Sequence, residues 1–382
     1  MDFEVSSEQK DIIIAAREFA VGEFTETARD FDVAEEYPLG LWKKACELGF
    51  VGLFIDEKYG GAGLGLVEQL MVLEEFCRID PGCGHILQST MGAEIILASG
   101  TEEQKIKYVL PLTKGTSIMG CAVAENGMGM DAGAIVTTAV RVGGEYVING
   151  EKSFVTNGNI ANHLIVLCCT DPLTVNLRER FSLLIVDTTL PGCEAIKING
   201  KIGLRASDVA QVKFSNAKVP IECLLGDKEG KGLSQVQLFL DIRKLVAAVQ
   251  SVGSAQGAMD QAVSYVKKRK VFGRTVSTFE ATQLKIGEMA TYIEAARRLY
   301  YQAAWMLDQN KRDAKLISMA KWFAGETGGR VADEALQLHG GYGYMTESPV
   351  EHFFRDAIFA ENYGGYQELE KISIAREIIG EM

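Results

Sequence analysis

Hydrophobic positions recur at helical spacing from residue 6 to about 115. Ser6, with Gln9 three residues later, has the pattern of a helix capping box. One apolar face of the helix that follows carries Ile12, Ile13, Ala16 and Phe19. A glycine-rich break over 59–63 precedes another helix, whose apolar face carries Leu66, Leu70, Leu73 and Cys77. This part of the chain is therefore predicted to be helical.

Between about 117 and 220 the pattern changes to that of β-strands. Apolar runs that predict strands lie at 164–169, 181–186 and 209–214. The dipeptide Asn149-Gly150 separates two short strand-like runs, which predicts a β-hairpin at that point. Together these runs favour a compact β-barrel or sandwich.

From about 231 to the end the spacing is helical again, with long segments near 233–268, 277–308 and 312–338. Since the average helix has about 11 residues, segments of this length are typical of a helix bundle. The predicted fold class is a multi-domain α+β protein. An N-terminal α-helical domain spans 1–116, a middle β-barrel or sandwich domain 117–230, and a C-terminal four-helix-bundle-like domain 231–382.

Charge and composition narrow the possible partners. The 382 residues carry a formal net charge of −12, with a pI near 5.0, which argues against nucleic acid or an anionic membrane surface. The N-terminus lacks a basic region followed by an apolar run, and no stretch approaches the ~20 apolar residues of a membrane helix. We therefore expect no membrane insertion. The eight cysteines include no CxxC pair, so we also expect reduced thiols, no metal site and a cytoplasmic location.

The order of a helical, a β and a second helical domain does not identify a family by itself, but four sequence blocks do, at 49–65, 121–158, 201–232 and 336–357. They resemble, in the same order, the motifs of the acyl-CoA dehydrogenase family, and the resemblance extends over essentially the whole chain. It implies an FAD-dependent flavoprotein that removes a proton and a hydride from an acyl-CoA thioester. It also implies a homotetramer, with electron transfer flavoprotein or a similar protein as the electron acceptor.

The resemblance assigns two groups of residues to FAD. Those expected beside the flavin ring are Ala124, Gly129, Met130, Phe154, Thr156 and Tyr366. Those expected at the pyrophosphate end are Arg269, Gln337, Gly340 and Gly341, contributed in the family by a neighbouring subunit. Val123, Phe272 and Glu368 are also expected to contact FAD. A guanidinium suits this anion, and glycine lets backbone approach it closely.

The flavin-contacting block departs from the family pattern at three places. The chain has Ala124-Glu125-Asn126 where Thr-Glu-Pro is usual, Met130 where serine is usual, and Tyr366 where threonine is usual. One hydroxyl toward the flavin and one toward the thioester ligand are therefore missing.

The largest departure concerns the catalytic base. Oxidation of an acyl-CoA needs a carboxylate to take the proton at C2. Most family members place a glutamate where this chain has Gly364, and a second group places it where this chain has Arg243, followed by Lys244. Both positions lack an acid.

Several functions remain open. A relocated base, for which Glu361, Asp241 or a residue of a pocket helix around 85–91 are candidates, would suit a cyclic acyl-CoA or enoyl-CoA such as cyclohex-1-ene-1-carboxyl-CoA. No Asp or Glu lies between Gly84 and Gly92, which weakens the third choice. Residues expected to contact the substrate are Met91, Met130, Asp241, Lys244, Tyr363 and Gly364.

Other members of the family suggest further alternatives. A sulfinoacyl-CoA desulfinase would use Arg243 to hold the sulfinate without net oxidation. An ordinary short-chain acyl-CoA dehydrogenase with a relocated base is also compatible with the sequence. A flavoprotein with a non-catalytic or damage-protective role, or an electron-transfer or binding subunit, would hold FAD without turning over a thioester.

Overall fold

The computed structural model describes residues 5–129 and 131–380, so Met130 lies outside the described residues. The N-terminal helices are α1 (Ser7–Phe24), α2 (Ala28–Ala34), α3 (Leu39–Glu47), α4 (Leu66–Ile79), α5 (Pro81–Gly84), α6 (Ala93–Ser99), α7 (Glu102–Tyr108) and α8 (Leu110–Thr113). The capping box at Ser6 and Gln9 is present, and the predicted face of α4 is buried against α1 and the C-terminal domain. The predicted helical N-terminal domain is therefore confirmed.

The middle of the chain forms one sheet. Its strands are β1 (Met119–Ala122), β2 (Thr138–Val142), β3 (Glu145–Thr156), β4 (His163–Cys169), β5 (Phe181–Asp187), β6 (Cys193–Lys197) and β7 (Val209–Pro220). They lie in the order β1-β4-β2-β3-β7-β6, and β5 pairs with β4. β4 runs parallel to β1 and antiparallel to β5. The sheet is the β half-barrel that the apolar runs anticipated.

The prediction of a hairpin at Asn149-Gly150 is wrong. β3 continues through both residues and pairs with β7 on either side, with a register shift between Ile148 and Gly150. Gly150 has φ +144°, and a Cβ there would lie 2.5 Å from Thr137 Oγ1. The local Asn-Gly signal therefore marks a β-bulge, where a glycine admits close contact with a neighbouring segment. The true hairpin joins β2 to β3 through 143–144.

Long helices form the C-terminal domain as the spacing predicted. They are α9 (Gly232–Lys268), α10 (Glu280–Asp308), α11 (Ala314–His339), α12 (Pro349–Asn362) and α13 (Gln367–Ile379), with the short strands β8 (Lys270–Val271) and β9 (Arg274–Thr275) after α9. α11 packs against the other four helices, and α9 also packs against α4 and α6. α9 thus brings the C-terminal bundle against the N-terminal helices, and the candidate site lies at this junction.

A half-buried histidine among three carboxylates joins the domains at α12. His352 Nε2 lies 3.1 Å from Asp356 and 3.6 Å from Asp32, and Nδ1 lies 3.4 Å from Asp80. Burial alone would lower the pKa of His352, but the three carboxylates raise it to about 10. Asp356 also accepts the Leu204 N–H, which ties α12 to the β-domain. His352 is therefore protonated at neutral pH, and the cluster fixes the relative positions of the three domains.

Candidate active site

A small enclosed cavity of about 30 Å³ lies between α4, α6, α9 and the segment that follows α5. Seven of its lining residues are apolar, and the polar ones are Gln69, Gln88, Thr90, Glu94 and Arg243. The helix expected around 85–91 is absent from the described structure. A 3-10 turn covers His85–Ser89, Thr90 pairs with Met119 of β1, and α6 starts only at Ala93. This break lets the first turn of α6 face the cavity.

Arg243 and Glu94 form a buried ion pair at the cavity. Arg243 is 8% exposed and Glu94 5%, and the Arg243 Nη2 to Glu94 Oε1 distance is 3.0 Å. The other Glu94 oxygen accepts the Gly92 N–H at 3.0 Å. Arg243 Nη1 donates to the side-chain oxygen of Gln88. Arg243 Nε is buried without a hydrogen-bond partner among the described residues.

Gly364 lies directly against the backbone of Arg243. A Cβ at Gly364 would lie 3.0 Å from the Arg243 carbonyl oxygen and 3.3 Å from Lys244 Cα. Gly364 has φ +76°, a conformation that favours glycine. The two positions at which the resemblance leads us to expect a glutamate therefore lie against each other, and neither holds a carboxylate.

Tyr363, the neighbour of Gly364, packs against both large hydrophobic clusters of the chain. Its ring stacks on Phe359 at 4.6 Å, and Phe359 meets the edge of His85. The Tyr363 hydroxyl is buried beside Arg243. Burial raises the pKa of Tyr363, and the charge of Arg243 and a hydrogen bond with its side chain act in the opposite direction. Burial lowers the pKa of His85 to about 3, with Lys201 and Arg243 acting in the same direction, so His85 is neutral.

The two acidic residues that the sequence suggested as bases do not line this cavity. Asp241 is buried and engaged by Arg312, whose Nε lies 2.5 Å from Oδ2, and by Gln237 at 3.1 Å. The Glu361 carboxylate lies against α11, since a Cβ at Gly329 would be 2.7 Å from its Oε1. The structure brings Arg243, Glu94 and Gly364 together, but it does not bring Glu361 or Asp241 to them.

A network behind the loop after α12 holds that loop in place. Lys244 Nζ lies 2.8 Å from Glu370 Oε2, and Lys321 Nζ donates to the Glu361 carbonyl at 2.7 Å. Lys321 is fully buried, and burial lowers its pKa to about 8 although Glu370 opposes this. Lys244 therefore positions the segment that contains Gly364 and does not line the cavity.

Glu94 was not among the predicted site residues, because it lies just beyond the segment 85–91 expected to line the pocket. The available signal was an acidic residue within the apolar run 93–98, where helical spacing directs Glu94 inward with Ile95 and Ile96. Its partner is 149 positions away, so the pair itself could not be read from the sequence. Met91, a predicted substrate contact, is buried in a hydrophobic cluster that Tyr363 also contacts.

A second buried ion pair organises the predicted flavin loop. Lys152 Nζ lies 2.7 Å from Glu125 Oε1 and donates to the Val123 carbonyl at 3.0 Å. Glu125 also accepts the backbone N–H groups of Val136 and Thr137. Burial alone would raise the pKa of Glu125, but these donors, Lys152 first, hold it below its ordinary value. The pair fixes the path of the loop after β1.

The predicted flavin contacts lie along this loop and β3. Ser153 N–H donates to the Ala124 carbonyl at 2.9 Å, which joins the loop to the strand. Thr156 is buried, whereas the Phe154 ring is 71% exposed and its residue has φ +52°. Val123, Gly129, Tyr366 and Glu368 remain partly or fully exposed. The strand thus carries an exposed aromatic ring and a hydroxyl two residues apart, the residue types expected beside a flavin ring.

The predicted pyrophosphate residues also lie together. Arg269, Gln337, Gly340 and Gly341 line one cavity beside Tyr265 and Tyr342, while Phe272 projects from the β8–β9 turn at 92% exposure. A Cβ at Gly340 or Gly341 would meet nothing within 4 Å, so a ligand can approach this backbone closely. The Arg269 guanidinium and the open backbone next to it are donors that suit a diphosphate. Together with the residues along β3, they fit FAD.

The fold and the two groups of residues that fit FAD define the class as a flavoprotein, and the comparisons identify the family. Models of the acyl-CoA dehydrogenase N-terminal, middle and C-terminal domains match residues 6–116, 120–217 and 230–379. The chain therefore belongs to the acyl-CoA dehydrogenase family. It is an FAD-dependent oxidoreductase that acts on CH–CH groups of acyl-CoA thioesters.

Individual relatives are similar over their whole length. The acryloyl-CoA reductase (NADH) of Anaerotignum propionicum is 37% identical over 382 residues, which cover 99% of this chain and 96% of that protein. The caffeyl-CoA reductase-Etf complex subunit of Acetobacterium woodii is 36% identical, with 97% and 98% covered. The structure of butyryl-CoA dehydrogenase from Megasphaera elsdenii matches with a TM-score of 0.95 at 32% identity, covering 100% of both chains.

In 5–129 and 131–380, no helix is long and apolar enough to cross a bilayer. Within the same ranges, no group of three or more His, Cys, Asp or Glu side chains is arranged to hold a metal ion.

Proposed function

We propose that this chain exchanges a hydride and a proton with an acyl-CoA thioester through a relocated proton acceptor, Glu94. The observation that carries the proposal is the cavity lining. Among the described residues that line it, Glu94 is the one carboxylate, and Arg243 holds it in a fixed orientation. Bound FAD supplies the hydride acceptor of this reaction. Glu94 takes the proton, the substrate loses two electrons with the hydride, and a carbon–carbon double bond forms.

The position of Glu94 favours a particular kind of substrate. The backbone of Arg243 faces Gly364, whereas its guanidinium contacts Glu94. The Glu94 carboxylate is therefore separated from the Gly364 position, where the base is usually expected, by the length of the Arg243 side chain. A displaced acceptor suits an acidic C–H beyond C2, as in the ring of cyclohex-1-ene-1-carboxyl-CoA, where the double bond is conjugated with the thioester. A cyclic acyl or enoyl group of this kind is our proposed substrate.

The electron partner is proposed from the name of one relative, and the assembly from the family resemblance. One relative is named as a subunit of a complex with Etf, which supports electron transfer flavoprotein or a similar acceptor. Relatives named as reductases of acryloyl-CoA and caffeyl-CoA make the reductive direction equally compatible. We further propose a cytoplasmic homotetramer in which Arg269 and Gln337 serve the FAD of a neighbouring subunit. Light scattering of the FAD-loaded protein would test the tetramer directly.

Flavin reduction tests the function. The FAD-loaded protein is mixed anaerobically with cyclohex-1-ene-1-carboxyl-, cyclohexanecarboxyl- and butyryl-CoA, and flavin absorbance is followed. We expect bleaching by a cyclic thioester, and Glu94→Gln should slow it at least about 100-fold, the ordinary contribution of a general base. Glu74→Gln is the matched control. Glu74 is a buried glutamate paired with Arg297 at 2.8 Å that does not line the cavity.

Two results would contradict the assignment. If Glu361→Gln stopped bleaching and Glu94→Gln did not, the base would be Glu361. If sulfite were released from sulfinopropionyl-CoA without bleaching by any thioester, the reaction would be desulfination.

A further inference from the structure

We infer that Tyr363 is a positioning residue, whose hydroxyl holds the Arg243 guanidinium in the place from which it orients Glu94. The inference deepens the proposed function and rests on it, because it takes Glu94 to be the proton acceptor. It concerns how the acceptor is held, and not which thioester enters the cavity.

Four side chains from different parts of the chain surround the Arg243 guanidinium. Its Nη2 lies 3.0 Å from Glu94 Oε1 on α6, and its Nη1 donates to Gln88 in the turn before α6. The guanidinium carbon lies 5.2 Å from the centroid of the Phe239 ring, one turn earlier on α9. The Tyr363 hydroxyl, on the loop after α12, accepts a hydrogen bond from the Arg243 side chain. A long arginine side chain has much rotamer freedom to lose, so contacts of this kind determine its direction.

The Tyr363 side chain is itself held firmly. Its ring stacks on Phe359 at a centroid distance of 4.6 Å and an angle of 26°, and Phe359 meets the edge of His85 at 5.8 Å. The Tyr363 N–H donates to the Phe359 carbonyl at 3.0 Å, and the hydroxyl is buried. A tyrosine side chain has only two rotatable bonds, so it loses little entropy when it is fixed. The hydroxyl is therefore a well-placed support for Arg243.

The residue after Tyr363 contacts the other end of the same arginine. A Cβ at Gly364 would lie 3.0 Å from the Arg243 carbonyl oxygen. Residues 363 and 364 thus contact Arg243 through its side chain and through its backbone. A side chain at 364 would push the loop away and move the Tyr363 hydroxyl with it. The glycine at 364 and the arginine at 243, both departures from the family pattern, are therefore linked through this loop.

A phenol suits this position because it stays uncharged. Burial raises the pKa of Tyr363, and the charge of Arg243 and the hydrogen bond with it do not cancel that effect. The hydroxyl is therefore neutral at physiological pH, and it accepts an N–H without competing with Glu94 for the charge of Arg243. A carboxylate in the same place would pair with Arg243 and weaken its hold on Glu94.

Removal of the hydroxyl alone tests the inference, since Tyr363→Phe keeps the ring and its stack on Phe359. The FAD-loaded protein is mixed anaerobically with increasing concentrations of the thioester that bleaches the flavin fastest. This separates the limiting rate of flavin reduction from the apparent dissociation constant. We expect the limiting rate to fall about tenfold, as the loss of one hydrogen bond from a charged group implies. The apparent dissociation constant should stay within about twofold, because Tyr363 acts on the acceptor and not on binding.

The same substitution in Glu94→Gln shows whether Tyr363 acts through Glu94. Adding Tyr363→Phe to that variant should change the limiting rate less than about twofold, since no carboxylate is left to orient. Tyr300→Phe is the matched control and should leave the limiting rate unchanged. The Tyr300 hydroxyl is buried and donates to Glu74, which pairs with Arg297 at 2.8 Å, and none of the three lines the cavity.

A second measurement needs no thioester. Melting temperatures of the wild type, Tyr363→Phe, Arg243→Met and the double variant form a thermodynamic cycle. Tyr363→Phe should lower the melting temperature of the wild type but should leave that of Arg243→Met unchanged or raise it. The reason is that the buried hydroxyl has no guanidinium beside it once Arg243 is replaced.

Several outcomes would overturn the inference. An unchanged limiting rate in Tyr363→Phe, or an equal fall in Tyr300→Phe, would each do so. A weaker apparent affinity at an unchanged limiting rate would make Tyr363 a substrate contact instead. Additive changes in melting temperature would show that the hydroxyl and Arg243 are not coupled. If Glu94→Gln turned over normally, the proposed base would be lost while the coupling of Tyr363 to Arg243 remained measurable, so the two proposals fail separately.

Discussion

Two buried glutamates, each paired with a basic side chain, differ in how fully they are engaged. At the flavin loop, Glu125 accepts from Lys152 and from two backbone N–H groups, and Lys152 also donates to Val123. At the cavity, Arg243 donates to Glu94 and Gln88, and the pair borders open space. A pair surrounded by backbone donors fixes the backbone, whereas a pair beside a cavity is available to a ligand. A carboxylate paired with a basic group thus serves different purposes in the two places.

The largest effect on stability is expected when the Lys152–Glu125 pair is broken. Lys152→Met leaves Glu125 buried without its counter-ion, which costs about 3–5 kcal/mol. The loop after β1 should loosen, so FAD should be lost together with stability. Thermal unfolding and flavin content of the purified protein measure this. The double variant Lys152→Met with Glu125→Leu should recover much of the melting temperature, since no unpaired charge remains.

The second effect is expected at the open pair and should affect turnover more than stability. Arg243→Met leaves the Glu94 carboxylate oriented by Gly92 alone, so flavin reduction by the best thioester should fall about 100-fold or more. The stability cost should be smaller than for Lys152→Met, at the lower end of about 3–5 kcal/mol, because the cavity has room for one water molecule beside Glu94. A larger loss of stability at Arg243 than at Lys152 would refute the distinction between the two pairs.

A third substitution asks whether the usual base can simply be restored. Gly364→Glu puts a side chain at φ +76° and 3.0 Å from the Arg243 carbonyl, a strain of about 1–2 kcal/mol from the backbone alone. We expect a lower melting temperature and no gain in butyryl-CoA oxidation. Rapid bleaching of the flavin by butyryl-CoA in this variant would show that the cavity accepts a second carboxylate beside Arg243.

The smallest effect concerns pH. The folded-state pKa of Glu125 is depressed, so its contribution to stability is present above the ordinary glutamate pKa of about 4.3 and is lost as pH falls through the folded value. Melting temperature measured from pH 6 to pH 3.5 should therefore fall more steeply in the wild type than in Glu125→Gln. Parallel curves would mean that Glu125 has the same pKa in the folded and unfolded chain.

Regular segments were predictable because their signals are local. The three long C-terminal helices lie within three residues of the predicted bounds, since apolar spacing at 3.6 residues persists over many turns. The prediction of a hairpin at Asn149-Gly150 was wrong for the opposite reason. The conformation there is set by pairing with β7 and by contact with Thr137, which are distant in sequence. Pairing across the sheet overrode the local turn preference.

The candidate site was predictable only in part. The absence of an acid at Gly364 and Arg243 could be seen by matching motifs, and the structure places these two positions in contact. The residues that each side chain contacts could not be predicted from the sequence. The burial of Glu94 depends on Arg243 in another domain, and the Glu361 carboxylate turns toward α11 because of how α12 ends. Both outcomes come from packing between helices and not from spacing along the chain.

The contact between Gly364 and Arg243 has a pharmacological consequence. An electrophilic acyl-CoA built to alkylate the family's usual glutamate would find hydrogen at one of the two known positions and a guanidinium at the other. Neither forms an ester, so such a covalent inhibitor should dissociate from this protein intact while it inactivates relatives that carry the glutamate. In a mixture of related enzymes, survival of such treatment would single this one out.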